Sequence, residues 1–240
     1  MAIPYHAGMR PYSKVIFQWS CHVIDKPGAA PKHFEWLNTK NKYPNFEFAE
    51  ALKALLQDKG SVFIWTQYEN TILKDIYNAI DTMEQIKPEL KEWLARTIKF
   101  SKEDSTRFVD MNNLALKYYF HPSMGGRTSI KVTLPAVLKA TNSEKIKQYL
   151  GDVNLLNIDD DGLISDPYKQ LPKITVGETL LDVSNGTDAM IAYQEMLYGL
   201  SRNNIEIKEG YDKLLKQYCR LDTLAMVIIW EHWNDLMKNL

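Results

Sequence analysis

A tyrosine and an aspartate, Tyr218 and Asp222, stand one helical turn apart in the mostly apolar stretch QYCRLDTLAMVIIW. On an α-helix this spacing puts both side chains on the same face. An aspartate among apolar neighbours is costly to bury unless it is paired or bound to a metal. The pattern leaves two interpretations open: an amphipathic helix whose polar side faces solvent, or a helix that presents a metal-binding carboxylate to a catalytic cleft.

A second carboxylate, Glu69, follows the apolar run SVFIWTQ, which is typical of a buried strand. Glu69 is expected where this strand ends and the next helix begins, and open α/β sheets place their sites at the carboxyl ends of strands. The alternative is a glutamate that the helix dipole favours in a first turn. Taken alone, the position of Glu69 favours that structural interpretation.

Other familiar site patterns are incomplete or missing. Asn157, Asp159 and Asp161 imitate the start of an EF-hand loop, but Tyr168 stands where that loop needs its bidentate glutamate. We therefore interpret this stretch as a solvated acidic loop. The five histidines form no zinc-ligand pair, and the sequence contains neither a phosphate-binding G-x-x-x-x-G-K-[ST] loop nor a G-x-S-x-G nucleophile motif.

The elements that must position these residues are strands early in the chain and helices later. Runs rich in β-branched and aromatic residues predict strands, the first two forming a hairpin, at 15–25, 33–39, 61–67 and 107–113. Apolar residues at helical spacing predict helices at 46–60, 68–83, 88–99, 187–200 and 209–237. A loop and a short helix are expected in 118–140, and 151–186 is expected to be irregular. The order indicates one α/β or α+β domain over residues 1–240.

Composition gives little hint of a partner. The chain has 240 residues with 29 basic and 30 acidic side chains, so nucleic acid could be bound only through a local patch or a metal. Cys21 and Cys219 lie far apart in no zinc-like spacing, which indicates reduced thiols and a cytoplasmic location. The N-terminal residues lack the apolar core of a signal peptide, and LAMVIIW is too short to span a bilayer, so no membrane association is expected.

Three stretches of the chain carry a family resemblance: AIPYHAGMRPYSKVIFQWSCHVID, YYFHPSMGGRTSIKVTLPAVL and YCRLDTLAMV. In this order they resemble a bacterial family, the domain of unknown function numbered 2779, over nearly the whole chain. Tyr218-x-x-x-Asp222 is similar to the third motif of the tyrosine-bearing DEDD exonucleases, and Tyr68 with Glu69 resembles the second. The resemblance implies an α/β, ribonuclease-H-like fold, with a mixed sheet flanked by helices and a helical C-terminal part.

The activity that this resemblance implies is metal-dependent 3′–5′ hydrolysis of nucleic acid phosphodiesters at a single-stranded end. One metal ion would lower the pKa of the attacking water, and two together would stabilise the charge of the transition state. Hard cations such as Mg²⁺ and Mn²⁺ prefer oxygen ligands, which carboxylates supply.

The resemblance also implies roles for individual residues. Asp222 and Glu69 would be metal ligands, and Tyr218 would orient the attacking water. Asp110, in RFVDM, resembles an aspartate that closes a later strand and would support the site without binding metal. The residues expected to contact the phosphate backbone are Arg127, Ser129 and Lys131; a solvated lysine is an equally good interpretation of Lys131.

The first motif of the superfamily, Asp-x-Glu on the opening strand, occurs nowhere in this sequence. Asp222 and Glu69 alone cannot hold two metal ions with the geometry that catalysis needs. Because that strand is central in this type of fold, we expect an N-terminally incomplete domain, inactive or weak, whose sheet a second chain or copy completes. Two alternatives stay open: a degenerate ribonuclease-H-type module that binds nucleic acid or a protein without cleavage, and a structural segment of a larger nuclease with a RecB-like domain.

Overall fold

The computed structural model describes residues 6–101 and 103–238. Over these residues the protein is a mixed α/β structure with eight α-helices and three two-stranded sheets, and it is about 51% helical. The chain forms two compact units. Unit 1 contains the described part of residues 1–19 and Trp36–Met111, and unit 2 contains Ser20–Glu35 and the described part of residues 112–240. Across the described ranges, none of the helices combines the length and the apolar character that crossing a membrane would require.

Unit 1 is built from three helices that enclose an apolar core. The helices are α1 (Asn45–Leu56), α2 (Tyr68–Thr82) and α3 (Pro88–Thr97). Buried Ile72, Ile76 and Ile80 recur at every fourth position of α2, so one face of this helix enters the core. Pro88 begins α3, where its missing N–H removes no intrahelical hydrogen bond. Trp93 and Leu94 of α3 are almost completely buried in the same core.

Two short parallel strands, β3 (Val62–Ile64) and β4 (Phe108–Asp110), complete unit 1. They pair with Ile64 opposite Asp110, so both strands end at the same edge. At this edge the side chain of Gln67, just beyond β3, donates a hydrogen bond to Asp110 Oδ2 at 3.0 Å. The structure confirms both strands that the sequence predicts here.

Unit 2 is organised around one long helix, α8 (Ile205–Lys238). Apolar side chains such as Leu215, Leu221 and Ile228 are buried along it. The elements that pack against α8 are α5 (Ile130–Ala140), α6 (Glu144–Gly151), α7 (Gly186–Tyr198), and the antiparallel strands β5 (Ile174–Val176) and β6 (Thr179–Leu181). Helix α4 (Met111–Tyr118) begins directly after β4. Because several elements share α8 as a common surface, it can position groups that come from distant parts of the chain.

The remaining strands, β1 (Gln18–Val23) and β2 (Lys32–Leu37), pair with each other in a two-stranded sheet. They are the two arms of the hairpin that the sequence predicts. The boundary between the units passes through both strands, because unit 2 begins at Ser20 within β1 and includes β2 as far as Glu35.

Three expectations about the boundaries and elements need correction. Helix α1 ends at Leu56, before Gly60, because Gln57 already has a positive φ of 46°. The region 151–186 is not wholly irregular, since it contains β5 and β6; each has three residues, which is too short for strand periodicity to be visible. Helix α8 begins at Ile205, one turn earlier than expected.

Candidate functional site

Tyr218 and Asp222 lie one turn apart in the middle of α8. Both residues keep some exposed surface, but protein groups surround the Asp222 carboxylate. The solvent-facing interpretation of this helix is therefore wrong at Asp222. The aspartate points toward neighbouring elements of unit 2, and these elements supply its partners.

The main partner of Asp222 is Tyr168, whose hydroxyl donates a hydrogen bond to Asp222 Oδ1 at 2.7 Å. Tyr168 is buried and lies in a short 3₁₀ turn, Pro167–Gln170. The side chain of Asp166 accepts the backbone N–H of Tyr168 at 3.0 Å and so fixes the start of this turn. Tyr168 is thus a site residue that sequence reasoning missed.

Lys131, in the first turn of α5, lies against both tyrosines of the site. Its ammonium nitrogen is 5.0 Å from the ring centroid of Tyr168 and 4.9 Å from that of Tyr218. The same nitrogen donates a hydrogen bond to the backbone carbonyl of Ser184 at 3.0 Å. Two aromatic faces and a carbonyl therefore hold one cation, which is a stabilising arrangement for a half-buried ammonium group. Lys131 is not the solvated lysine that one interpretation predicted.

The carbonyl that receives Lys131 is itself held at the start of α7. Asp188 Oδ2 accepts hydrogen bonds from the Ser184 hydroxyl at 2.8 Å and from the Ser184 N–H at 3.1 Å. Asn185 caps α7 by accepting the N–H groups of Thr187 and Asp188. This cap satisfies helix N–H groups that would otherwise lack partners, and it fixes the carbonyl toward which Lys131 points.

Burial and neighbouring groups shift the pKa values of the aspartate and of the two tyrosines of this site. Burial raises the pKa of Asp222, while the hydroxyl of Tyr168, the charge of Lys131 and the hydroxyl of Tyr218 oppose that rise. Burial followed by the charge of Asp222 raises the pKa of Tyr168 and of Tyr218. Both tyrosines therefore stay protonated at neutral pH, and Tyr168 donates its hydroxyl to the aspartate. We call Tyr168, Tyr218, Asp222 and Lys131 the α8 cluster.

The other two residues expected to contact phosphate lie outside the α8 cluster. Ser129 precedes the first residue of α5, and Arg127 lies in the loop before it. Both are exposed, and their side chains form no hydrogen bond or ion pair with any residue in the described ranges. Of the three predicted phosphate contacts, only Lys131 joins the cluster.

Glu69 and Asp110 belong to unit 1. Glu69 is exposed in the first turn of α2, where the sequence places it. Asp110 is half-buried at the end of β4 and accepts the hydrogen bond from Gln67. Within unit 1, Glu69 follows the end of β3 and Asp110 is the last residue of β4, as predicted. The α8 cluster, by contrast, belongs to unit 2.

A divalent cation would find a limited set of donors. Within residues 6–101 and 103–238, no group of three or more histidine, cysteine, aspartate or glutamate side chains is placed to hold a metal ion. In the α8 cluster Asp222 is the one carboxylate, and Tyr168 already occupies its Oδ1 atom. Mg²⁺ and Mn²⁺ require several oxygen ligands, so this donor set does not fit a metal site by itself.

Fold and site together define a mixed α/β protein whose longest helix carries a tyrosine–aspartate pair facing a buried tyrosine and a lysine. The model of the family described as Domain of unknown function (DUF2779) matches residues 1–129. The chain belongs to this family. The match ends before α5, so the resemblance of Tyr218 and Asp222 to an exonuclease motif stays a prediction. Among curated proteins and among solved structures, none matches the chain.

Proposed function

We propose that this chain is part of a metal-dependent 3′–5′ exonuclease-like domain of the ribonuclease-H type that acts on single-stranded ends of nucleic acid. The observation that carries the proposal is the inward-facing Asp222 on α8, with Tyr218 one turn before it and Lys131 beside both. The tyrosine-bearing exonuclease motif requires this pairing of a tyrosine and a carboxylate on one helical face.

The proposal assigns roles to the neighbouring residues. Tyr218, whose hydroxyl stays protonated, would orient a water molecule by donating or accepting a hydrogen bond. Lys131 would place positive charge near a phosphate, and exposed Arg127 and Ser129 would contact the backbone of the strand. The roles of Asp222 in unit 2 and of Glu69 in unit 1 as ligands of Mg²⁺ or Mn²⁺, and of Asp110 in support, stay predictions, each within its own unit. Because the donor set is incomplete and no Asp-x-Glu pair occurs in the sequence, we expect weak activity or none from this chain.

The alternative is a ribonuclease-H-type module that binds nucleic acid or a protein without cleaving it. A specific observation favours it: the α8 cluster is already satisfied internally. Tyr168 occupies Asp222 Oδ1, and Lys131 is held by Ser184 and by two aromatic rings. A metal ion at Asp222 would find only Oδ2 free of the Tyr168 hydrogen bond, and binding through both carboxylate oxygens would require that hydrogen bond to break.

The wider setting of this activity is also proposed. We infer a cytoplasmic protein with reduced Cys21 and Cys219, both of which are free thiols in the structure. Residues 1–240 would act as a single exonuclease-like domain, with a second copy or another chain completing its sheet. In a longer protein it would accompany a RecB-like nuclease domain.

The test is degradation of end-labelled single-stranded DNA and RNA with Mn²⁺, with Mg²⁺ and with chelator. The informative variant is Asp222→Asn, and the matched control is Asp212→Asn on the same helix, where Asp212 pairs with Lys216. The nuclease proposal is supported if the oligonucleotide is shortened from its 3′ end in the presence of metal, if Asp222→Asn abolishes this shortening and if Asp212→Asn does not. Binding of the oligonucleotide without shortening supports the alternative, and neither binding nor shortening contradicts both proposals for nucleic acid.

A further inference from the structure

Arg220 carries a positive charge on α8 that nothing in the described residues neutralises. The residue is half-buried, and its Nε atom is shielded from solvent without a hydrogen-bond partner. Its guanidinium forms no ion pair or hydrogen bond with any residue in the described ranges. A guanidinium offers five N–H donors in a planar fork, and shielding even one of them, here Nε–H, from water without a partner is unfavourable. An oxyanion is the ligand that fits such a fork best.

Beside Arg220 lies a chain of four hydrogen-bonding side chains. His22 Nδ1 is 2.8 Å from Thr223 Oγ1, Thr223 Oγ1 is 2.9 Å from Ser20 Oγ, and Ser20 Oγ is 2.8 Å from His33 Nε2. Ser20, His22 and His33 come from β1 and β2, whereas Thr223 follows Arg220 by one turn of α8. All belong to unit 2.

A count of protons determines how this chain is arranged. Its three hydrogen bonds need three protons. The hydroxyls of Ser20 and Thr223 supply two of them when the Thr223 hydroxyl donates within the chain, where its contacts are 2.8 and 2.9 Å, and not to the backbone carbonyl of Arg220 at 3.3 Å. One imidazole must therefore donate within the chain, while the other accepts. The accepting neutral ring then carries its proton on the other nitrogen, which presents an N–H outside the chain. His22 and His33 then have the same tautomer, both Nδ1–H when His22 donates and both Nε2–H when His33 donates, and reversing the two hydroxyls switches both rings.

Both rings are neutral, so they do not compete with Arg220 as cations. Burial lowers the pKa of His22 to about 3, with further lowering by the charges of His33 and Arg220. Burial followed by the charge of Arg220 lowers the pKa of His33 to about 4. The other titratable groups nearby are Glu35, with Oε2 3.9 Å from His33 Nε2, and Cys219, whose pKa burial raises. Glu35 opposes an anion but forms no ion pair with Arg220.

We propose that Arg220, together with the outward N–H of the accepting histidine, forms a binding site for a phosphate-type oxyanion on the side of α8 that faces β1 and β2. The Arg220 fork binds two oxygens of the anion. The histidine donates its outward N–H to a third oxygen. Binding of the anion therefore selects the histidine that accepts within the chain, and with it the direction in which the hydroxyls of Ser20 and Thr223 donate. The site is separate from the α8 cluster and does not depend on nuclease activity. Its ligand is either a free phosphate or a phosphate of a bound nucleic acid strand.

The experiment follows the imidazole nitrogens of His22 and His33 by ¹⁵N NMR at constant neutral pH. Inorganic phosphate is titrated into the full chain, with chloride at matched ionic strength as reference and oligothymidylate in a second arm. We expect saturable shifts confined to these two rings and a single tautomer for each ring at saturation. In Arg220→Gln the affinity should fall about tenfold or more, as expected for a lost charge-assisted pair. The matched control is Arg202→Gln, because Arg202 is an exposed arginine of unit 2.

Each outcome decides one point. The site is supported if phosphate binding saturates, if Arg220→Gln weakens it and if Arg202→Gln leaves it unchanged. Arg220→Lys should recover part of the affinity, which shows that the loss in Arg220→Gln does not come from misfolding. Shifts with the oligonucleotide but not with phosphate assign the site to a strand. Linear, unsaturated shifts that are equal in chloride, or shifts that survive Arg220→Gln in a folded protein, would overturn the proposal.

Discussion

At the scale of single residues, the chain repeatedly buries a polar group beside a partner from a distant segment. Asp222 has the hydroxyl of Tyr168, and Lys131 has two rings and the carbonyl of Ser184. Such partners compensate only part of the cost of burial, because the pKa of Asp222 is still raised. The residues with the clearest functional pattern are therefore also places where stability is lost.

Replacing Asp222 tests whether its burial lowers the stability of the fold. Burial raises the pKa of Asp222 in the folded protein above that in the unfolded chain, so between these two values the folded state holds the extra proton. The free energy of unfolding therefore falls as pH rises through that window. An asparagine side chain does not titrate, so Asp222→Asn should remove this fall and be at least as stable at neutral pH, as urea unfolding across pH would measure. A marked loss of stability in Asp222→Asn at neutral pH would contradict the expectation.

The hydroxyl of Tyr168 should matter more than an ordinary surface hydroxyl. Tyr168→Phe removes a donor to a buried carboxylate, so we expect the free energy of unfolding to fall by about 1.5–3 kcal/mol. The pKa of Asp222 should rise further, because this hydrogen bond stabilises the charged form. Chemical unfolding measures the first effect, and ¹³C NMR of the carboxyl group measures the second. Tyr118→Phe is the control, since Tyr118 is 80% exposed and should show almost no change.

At the scale of elements, α8 is the surface on which unit 2 is assembled. Near its start, Gly210 lies under the hairpin of β5 and β6. A Cβ atom there would be 2.6 Å from Leu181 Cδ1 and 3.7 Å from Ile174 Cγ2. Leu181 is buried and cannot move away easily. The glycine is therefore explained by the close approach of the hairpin, although glycine inside a helix is unfavourable.

Gly210→Ala should show which of these two effects is larger. Alanine improves helix propensity by about 1 kcal/mol, but overpacking typically costs about 1–3 kcal/mol. We therefore expect a lower melting temperature for Gly210→Ala. Gly151→Ala, at the end of α6, is the control, because its Cβ would have no heavy atom within 4 Å. The control should be neutral or slightly stabilising, and equal destabilisation of both variants would refute the packing explanation.

At the scale of the whole molecule, two compact units share the strands β1 and β2. Unit 1 has its own apolar core, and unit 2 is organised on α8. Since each shared strand contributes residues to both units, disorder in one unit would remove part of a strand that the other needs. We expect the chain to unfold in one cooperative step.

Ile76→Ala measures this cooperativity. Ile76 is completely buried in the core of unit 1, so the substitution should cost about 2–5 kcal/mol. Hydrogen exchange read by mass spectrometry should then be faster in α8 of unit 2 as well as in α1 and α2. Ile86→Ala is the matched control, because Ile86 is 96% exposed. Faster exchange restricted to unit 1 would indicate two independent unfolding units.

The sequence predicts those features that depend on local patterns. Strands β3 and β4, most helices and the helical pairing of Tyr218 with Asp222 follow from periodicity and spacing. The partners of Asp222 and of Lys131 could not be predicted in this way. Tyr168 lies 54 positions from Asp222, and Ser184 lies 53 positions from Lys131. Both partners come from turns and caps whose placement depends on packing against α8. The hairpin of β5 and β6 escaped prediction because it is short.

The two cysteines have a practical consequence. Burial raises the pKa of Cys21 to about 11 and raises that of Cys219 as well. Alkylating reagents attack the thiolate, so both native thiols should react slowly at neutral pH. Cysteines introduced at Ile86 and Leu200, which are 96% and 99% exposed, should react first. The natural sequence is therefore a ready background for attaching one fluorophore to each unit and measuring energy transfer between them.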